Sequence, residues 1–151
     1  MNKLWDKIIE DYKIARKCLG YSKGTDCWTR QEDKGMYYLW SAYYTALNAE
    51  EKNHLFYARV LSLMGWEMQA KSSNYELLNK YYKPAMEQYD LALKENPHCA
   101  YPKEIENVRK SYEYYKYIVE KSKIRTDADY YNAIKLLEGH ECLDEFSFHD
   151  S

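Results

Sequence analysis

The sequence predicts an all-α protein of five or six helices packed as antiparallel hairpins, with no significant β-sheet. Apolar residues recur at steps of three and four nearly everywhere, and no stretch alternates with a period of two long enough for a strand. Of the 151 residues only 5 are Gly and 3 are Pro, whereas 18 are Tyr. This composition excludes collagen, low-complexity disorder and a turn-rich β-sandwich.

The first helix is predicted over residues 2–19, with Gly20 as its stop signal. Its apolar stripe consists of Trp5, Ile8, Ile9, Tyr12, Ala15 and Leu19. A long loop is expected from Gly20 to Gly35, with Trp28 pinned to the core. Loops of this length are uncommon and can be functional.

The second helical region begins near Gly35 and carries two stripes separated by the polar segment 48–54. The first stripe is Tyr37, Trp40, Tyr43 or Tyr44, and Leu47, and the second is Leu55, Ala58, Leu61, Met64 or Gly65, and Met68. The segment between them contains neither Pro nor Gly. This favours one continuous or kinked helix over two helices that meet at a turn.

Ser73 and Glu76 fit a capping box that opens the third helical region, which ends before Pro97. Its apolar residues are Leu77, Leu78, Tyr81, Tyr82, Ala85, Tyr89 and Ala92. Pro84 lies inside this region, removes a hydrogen-bond donor and clashes with the preceding turn. We therefore expect a break or kink at residues 81–83.

Pro102 suits the first position of the next helix, which is predicted to run to about Lys123. Its buried stripe is Ile105, Val108, Tyr112, Tyr115 and Ile118 or Val119. Thr126 and Asp129 form a second capping box before a short helix that ends at Gly139. Residues 1–139 are thus interpreted as one helical domain, followed by an acidic C-terminal tail over 140–151.

Charge and hydropathy narrow the class of protein. The net charge of −2 lacks the strongly basic character of a duplex-DNA binder. The mean hydropathy of −0.81 and the charges near the N-terminus predict a cytoplasmic protein without a membrane span or signal peptide. Four cysteines without a Cys-x-x-Cys pair are then expected to be reduced thiols: Cys18, Cys27, Cys99 and Cys142.

The phrase Tyr-x-x-Ala recurs at Tyr12/Ala15, Tyr43/Ala46, Tyr89/Ala92 and Tyr130/Ala133. A small residue lets a neighbouring helix approach, and the Tyr one turn earlier fills the adjacent hollow. The spacing of Ala85, Tyr89, Ala92 and Pro97 resembles the second helix of a tetratricopeptide (TPR) repeat. The first-helix positions of that repeat hold Gln69, Ser72, Ser73 and Glu76, which depart from its pattern. The resemblance implies a groove that binds peptides or other proteins.

The sequence contains few of the residue patterns that are typical of catalytic or metal-binding sites. The sequence has no P-loop, no Gly-x-Gly-x-x-Gly and no recognisable nucleophile motif, so we expect neither enzymatic activity nor a cofactor. Glu51-x-x-His54 would place two ligands on one helix face, as in ferritin-like di-iron bundles, but a second such unit is missing. Together with Glu50 these residues are better interpreted as a solvated face. His98, Cys99, His140 and Cys142 match no common zinc spacing.

One helix face carries both rings and positive charges, and it is the candidate binding site. Its residues are Lys110, Tyr114, Tyr117, Lys121 and Arg125. Such a face suits a protein interface, a single-stranded nucleic acid or a second packing surface with Lys stems over Tyr rings. The leading hypothesis is a protein that binds another protein, as a stoichiometric inhibitor or accessory factor of phage or mobile-element type. Nucleic-acid or nucleotide binding is the alternative, a ferritin-like di-iron protein is a further one, and a homodimer stays open.

Overall fold

The computed structural model describes residues 2–21 and 30–139. These residues form six helices and no strand, so the predicted all-α fold is confirmed. The helices are α1 (Lys3–Cys18), α2 (Glu32–Asn48), α3 (His54–Glu67), α4 (the contiguous segments Asn74–Glu76, Leu77–Tyr82 and Lys83–Glu95), α5 (Pro102–Glu120) and α6 (Asp127–Gly139). None of these helices is both long enough and apolar enough to cross a membrane.

Helices α1 and α2 pack on each other through small residues. Ala42 and Ala46 are fully buried, and a Cβ added at Gly35 would lie 2.6 Å from Leu19 Cγ. Small side chains at the contact allow the two helix backbones to approach each other closely. The stop signal at Gly20 is also confirmed, since its φ of 85° is a conformation that favours glycine.

The predicted orientation of α2 is wrong. The helix buries Gly35, Leu39, Ala42, Tyr43 and Ala46. Apart from Tyr43, the predicted stripe lies on the other side, where Tyr37, Tyr44 and Leu47 are 71%, 54% and 45% exposed and Trp40 is half-buried. Both sets of residues recur at helical spacing, and the tight contact with α1 selects the set with small side chains.

The expectation of one helix across residues 35–70 is also wrong, because α2 and α3 are separate. Ala49 has extended backbone, and the Asn53 side chain accepts a 3.2 Å hydrogen bond from the Phe56 N–H at the start of α3. Lys52 Nζ donates to the carbonyl of Ala46 at 2.7 Å and thus caps the end of α2. On the other side of the turn, Trp5 Nε1 donates to the Glu51 carbonyl at 2.7 Å, which ties the turn to α1.

Helix α4 continues through Pro84 without a break, and a π-helical segment lies where a break or kink was predicted. Residues Leu77–Tyr82 are π-helical, and the Lys83 N–H donates to the Leu78 carbonyl five residues back. The wider turn accommodates a proline that lacks an N–H and would crowd an α-helical carbonyl. Ser73 caps the start as predicted, because its Oγ accepts from the Glu76 N–H at 3.1 Å.

Helices α3, α4 and α5 form the larger part of the core. Gly65 on α3 faces the ring of Tyr82, where an added Cβ would be 2.8 Å from Cζ. Tyr82 in turn stacks on Tyr115 of α5 with ring centroids 5.3 Å apart. The predicted stripe of α5 is confirmed: Val108, Tyr115 and Val119 are buried, and Ile105 and Tyr112 are half-buried.

Helix α6 begins at the predicted capping box. Thr126 Oγ1 accepts from the Asp129 N–H at 3.1 Å, and Asp129 Oδ2 accepts from the Thr126 N–H at 3.2 Å. The ring of Tyr130 stacks on Tyr75 at 5.0 Å, which attaches α6 to the start of α4. The predictions for Trp28 and for the tail over 140–151 lie outside the described residues.

Candidate functional site

The α5 face is the set of residues singled out from the sequence, and the structure brings four of the five together. Tyr114 and Tyr117 are 57% and 60% exposed on the outside of α5. Lys110 lies one turn before them, and Lys121 is the residue that caps the end of the helix. Arg125 does not continue this face, because α5 ends at Glu120 and Arg125 lies in the turn before α6. Hereafter the α5 face means Lys110, Tyr114, Tyr117 and Lys121.

The side chains of the α5 face are partly engaged within the molecule. Lys121 Nζ lies 5.6 Å from the centroid of the Tyr117 ring, which is a cation–π contact. Lys110 Nζ is 3.0 Å from Glu106 Oε1 on the same helix. The edge of the Tyr114 ring packs against Tyr115, with centroids 5.0 Å apart. The packing of a lysine over a tyrosine ring, which was one interpretation of the sequence, is therefore present at Tyr117.

The charge of α5 as a whole is balanced. Its acidic residues equal its basic residues in number: Glu104, Glu106, Glu113 and Glu120 against Lys103, Arg109, Lys110 and Lys116. Glu106, Glu113 and Glu120 are spaced seven apart and are all exposed, so they form an acidic row along the helix. A phosphate backbone that approached the lysines would also meet this row.

A second exposed aromatic surface lies on α2 and was missed from the sequence as a surface. We call Tyr37, Trp40, Tyr44 and Leu47 the α2 face. Its residues recur at steps of three and four and contain no charge. The Trp40 and Tyr44 rings are stacked, with centroids 5.3 Å apart and planes at 21°. The sequence signal for its exposure is the row of small residues on the opposite side of the same helix, Gly35, Ala42 and Ala46.

A buried carboxylate of α1 contacts α2 at the edge of the α2 face. Asp11 is buried, and its Oδ2 accepts from Lys7 Nζ at 2.7 Å and from Ser41 Oγ at 3.3 Å. A buried carboxylate requires such partners. Ser41 is half-buried and lies one turn from both Tyr37 and Tyr44, so this bond places the edge of the α2 face next to α1.

A third feature is an ion-pair cluster between α3, α4 and α5. Arg59 donates two hydrogen bonds to Glu104, at 2.8 and 2.9 Å, and Tyr89 Oη donates to Glu104 Oε2 at 2.8 Å. Burial alone would raise the pKa of Glu104, but the hydrogen bonds from Arg59 and Tyr89 outweigh it, and the pKa is lowered. Burial, together with the Glu104 charge, raises the pKa of Tyr89. The cluster therefore holds a carboxylate and a protonated phenol together at neutral pH.

Glu51 and His54 do not share a helix face, which the di-iron alternative would require. Glu51 lies in the turn before α3, whereas His54 is the first residue of α3. His54 Nδ1 is 2.6 Å from Gln88 Oε1, and Nε2 is 3.5 Å from Glu95. Within residues 2–21 and 30–139 no group of three His, Cys, Asp or Glu side chains is arranged to hold a metal ion. His140 and Cys142 of the considered zinc set lie outside the described residues.

No family model, no curated protein and no solved structure matches this chain. The resemblance to a tetratricopeptide helix therefore stays a prediction. Of the residues that carry it, Ala85, Tyr89 and Ala92 are buried on α4, and Pro97 follows shortly after the helix ends at Glu95.

Proposed function

We propose that this protein acts by binding another protein through the α2 face. The observation that carries the proposal is that an uncharged stripe of Tyr37, Trp40, Tyr44 and Leu47 lies on the outside of a helix whose opposite side is buried. Exposed apolar surface of this kind is typical of interaction sites, because its removal from water favours association.

The composition of the α2 face supports a protein partner. Trp and Tyr are enriched among the residues that contribute most binding energy at protein interfaces. The stacked pair of Trp40 and Tyr44 is a rigid anchor, since each ring restrains the other and little side-chain entropy is lost on binding. A helix of 17 residues is about 25 Å long, which suits a groove or a second helix on the partner.

Nucleic acid is a weaker candidate for either face. The α2 face has no cation to neutralise phosphate. The four cations within α5 are matched by four glutamates, which leaves Lys121 as the one additional cation of the α5 face. An inhibitor or accessory factor, working in the cytoplasm, is the narrower form of the proposal. The free thiols of Cys18 and Cys99 agree with a reducing compartment.

The test compares capture from native host lysate by three proteins, followed by quantitative mass spectrometry. They are the wild type, a Tyr37→Ser/Tyr44→Ser variant, and a Tyr114→Ser/Tyr117→Ser variant as a control with similarly exposed rings. We expect one or more proteins that are captured by the wild type and the control but lost with the α2 variant. The proposal is refuted if the α2 variant captures the same proteins as the wild type.

Two further measurements test the other possible partners, a second copy of the chain and a single-stranded nucleic acid. Light scattering at increasing concentration tests whether the α2 face binds a second copy of the chain, in which case the mass would double only in proteins with an intact α2 face. Fluorescence anisotropy with a labelled single-stranded oligonucleotide at low salt is expected to stay flat. Salt-sensitive binding that is weakened by Tyr117→Ala and Lys121→Ala would instead favour the nucleic-acid alternative.

A further inference from the structure

A groove of about 590 Å³ lies between α1, α3, α4 and α5, on a different part of the molecule from the α2 face. This volume falls within the range of small-molecule sites, roughly 300–1,000 Å³. Leu63, Trp66 and Val108 supply apolar lining, and the indole of Trp66 is 54% exposed. A flat apolar group could therefore pack against Trp66 without any change in the core.

A buried hydroxyl without a partner lies in the lining of this groove. Tyr82 is 2% exposed, and its Oη has no hydrogen-bond partner among the described residues. Ser111 and Gln69 are close enough to lower the pKa of Tyr82 somewhat, but neither meets hydrogen-bond geometry. Burial outweighs them and raises this pKa to about 12, so the phenol keeps its proton at neutral pH and is available as a donor.

The ring of Tyr82 is held on both sides, which fixes the position of its hydroxyl oxygen. It stacks on Tyr115 with the planes at 9°, and Gly65 leaves just enough space for Cζ. Buried polar groups are nearly always hydrogen-bonded, and an exception at the wall of a groove points to a group that binds there.

The groove also contains a cation without a carboxylate partner. Arg16 donates to Tyr12 Oη at 3.3 Å and to the Tyr21 carbonyl at 2.7 Å, and it forms no ion pair with a described residue. Arg59, by contrast, is neutralised by Glu104. Glu104 is itself fully engaged, since it also accepts from Tyr89 and from the Tyr101 N–H at 3.0 Å.

We propose that this groove binds a small aromatic carboxylate, with its negative charge at Arg16, its ring against Trp66 and a polar substituent at Tyr82 Oη. A single negative charge fits because Arg16 is the one cation of the lining that forms no ion pair with a described residue, whereas Lys110 at the edge is paired with Glu106. A nucleoside polyphosphate would bring several charges that the groove cannot balance. This inference is independent of the protein partner proposed for α2.

The test uses 6-hydroxy-2-naphthoate as the probe, with calorimetric titration of the full chain. Arg16→Gln should weaken binding at least about tenfold, because hydrogen bonds to a charged group are strong. Arg16→Lys should restore part of the affinity. Arg109→Gln, on an exposed part of α5 outside the groove, is the matched control and should leave affinity unchanged. The neutral amide of the same ring should bind at least about tenfold more weakly than the carboxylate.

The role of Tyr82 is tested by comparing that probe with 2-naphthoate, which lacks the hydroxyl. The wild type should prefer the hydroxylated probe by about three- to tenfold, and Tyr82→Phe should abolish this preference. Tyr82→Phe should not lower the melting temperature, because the hydroxyl that it removes has no partner in the fold. The proposal is overturned by the absence of binding at millimolar probe, or by equal binding to the wild type and Arg16→Gln.

Discussion

The α2 face and the α5 face are both exposed and aromatic, but they differ in what lies next to their rings. On α5, Lys121 covers the Tyr117 ring and Lys110 pairs with Glu106. On α2, the described residues place no cation over Tyr37 or Tyr44. The Tyr37 ring packs against Tyr38 instead, and the Tyr44 ring packs against Trp40 and Tyr43. Exposed rings that are covered by lysine stems are accommodated within the molecule, whereas uncovered rings are better explained by a partner.

The difference also reflects how each helix meets the core. Helix α5 buries the larger residues of its own pattern, such as Val108 and Tyr115, and exposes what is left. Helix α2 buries three small residues beside Leu39 and Tyr43, and it exposes Tyr37, Tyr44 and Leu47. Burying a large ring gains more free energy than burying Ala, so the arrangement of α2 forgoes stabilisation that the sequence could supply. This loss is understandable if the rings are buried in a complex.

The largest predicted effect tests which side of α2 faces inward. Leu39→Ala should lower the free energy of unfolding by about 3 kcal/mol, because it leaves a cavity at a fully buried position. Tyr44→Ala should change it by less than about 0.5 kcal/mol, because most of that ring is already in water. Urea unfolding followed by circular dichroism measures both. A larger loss for Tyr44→Ala than for Leu39→Ala would place the aromatic stripe in the core and remove the α2 face as a surface.

The next effect concerns the inner side of α5. Glu104→Gln should cost about 2 kcal/mol at pH 7, because Arg59 loses its paired charge and Tyr89 loses a charged acceptor. The pKa of Glu104 is lowered on folding, so the stabilisation is present above the ordinary value of 4.5 and is lost as the pH falls through the folded pKa. The difference between the variant and the wild type should therefore shrink below pH 4.5. Thermal unfolding at several pH values measures this, and a difference independent of pH would contradict it.

A small effect is also predicted for the stability of the α5 face itself. Tyr117→Ala should lower the free energy of unfolding by less than about 1 kcal/mol, since it removes an exposed ring and one cation–π contact with Lys121. A double-mutant cycle with Lys121→Ala in urea isolates that contact. A coupling energy near zero would mean that Lys121 does not cover the ring, and the contrast with α2 would be weakened.

Much of the fold could be predicted because its signals are local. Pro102 specifies a helix start through its fixed φ, whereas Ser73 and Thr126 do so through hydrogen bonds within one turn. The Tyr-x-x-Ala pairs gave buried positions such as Tyr12 and Tyr89 because their ring and small residue share one face.

The features that could not be predicted depend on distant contacts. The turn between α2 and α3 is stabilised by Trp5, which is 46 residues from Glu51. The orientation of α2 depends on its close approach to the end of α1, where Gly35 meets Leu19. A prediction from hydrophobic periodicity favours large apolar side chains in the core and therefore selected the aromatic stripe of α2. Close packing on α1 instead requires the side of the helix that carries small residues. The groove at Arg16 combines four helices, so no single stretch of sequence signals it.

The most direct test of the central claim is the affinity of a captured partner for single variants of the two faces. Purified partner would be titrated calorimetrically with the wild type, Tyr44→Ser and Tyr117→Ser, each first shown to be folded by circular dichroism. We predict that Tyr44→Ser weakens binding at least about 30-fold, which corresponds to the roughly 2 kcal/mol of an interface hot spot, whereas Tyr117→Ser changes it less than about threefold. Equal affinity of the wild type and Tyr44→Ser, or a greater loss with Tyr117→Ser, would contradict the assignment of partner binding to α2.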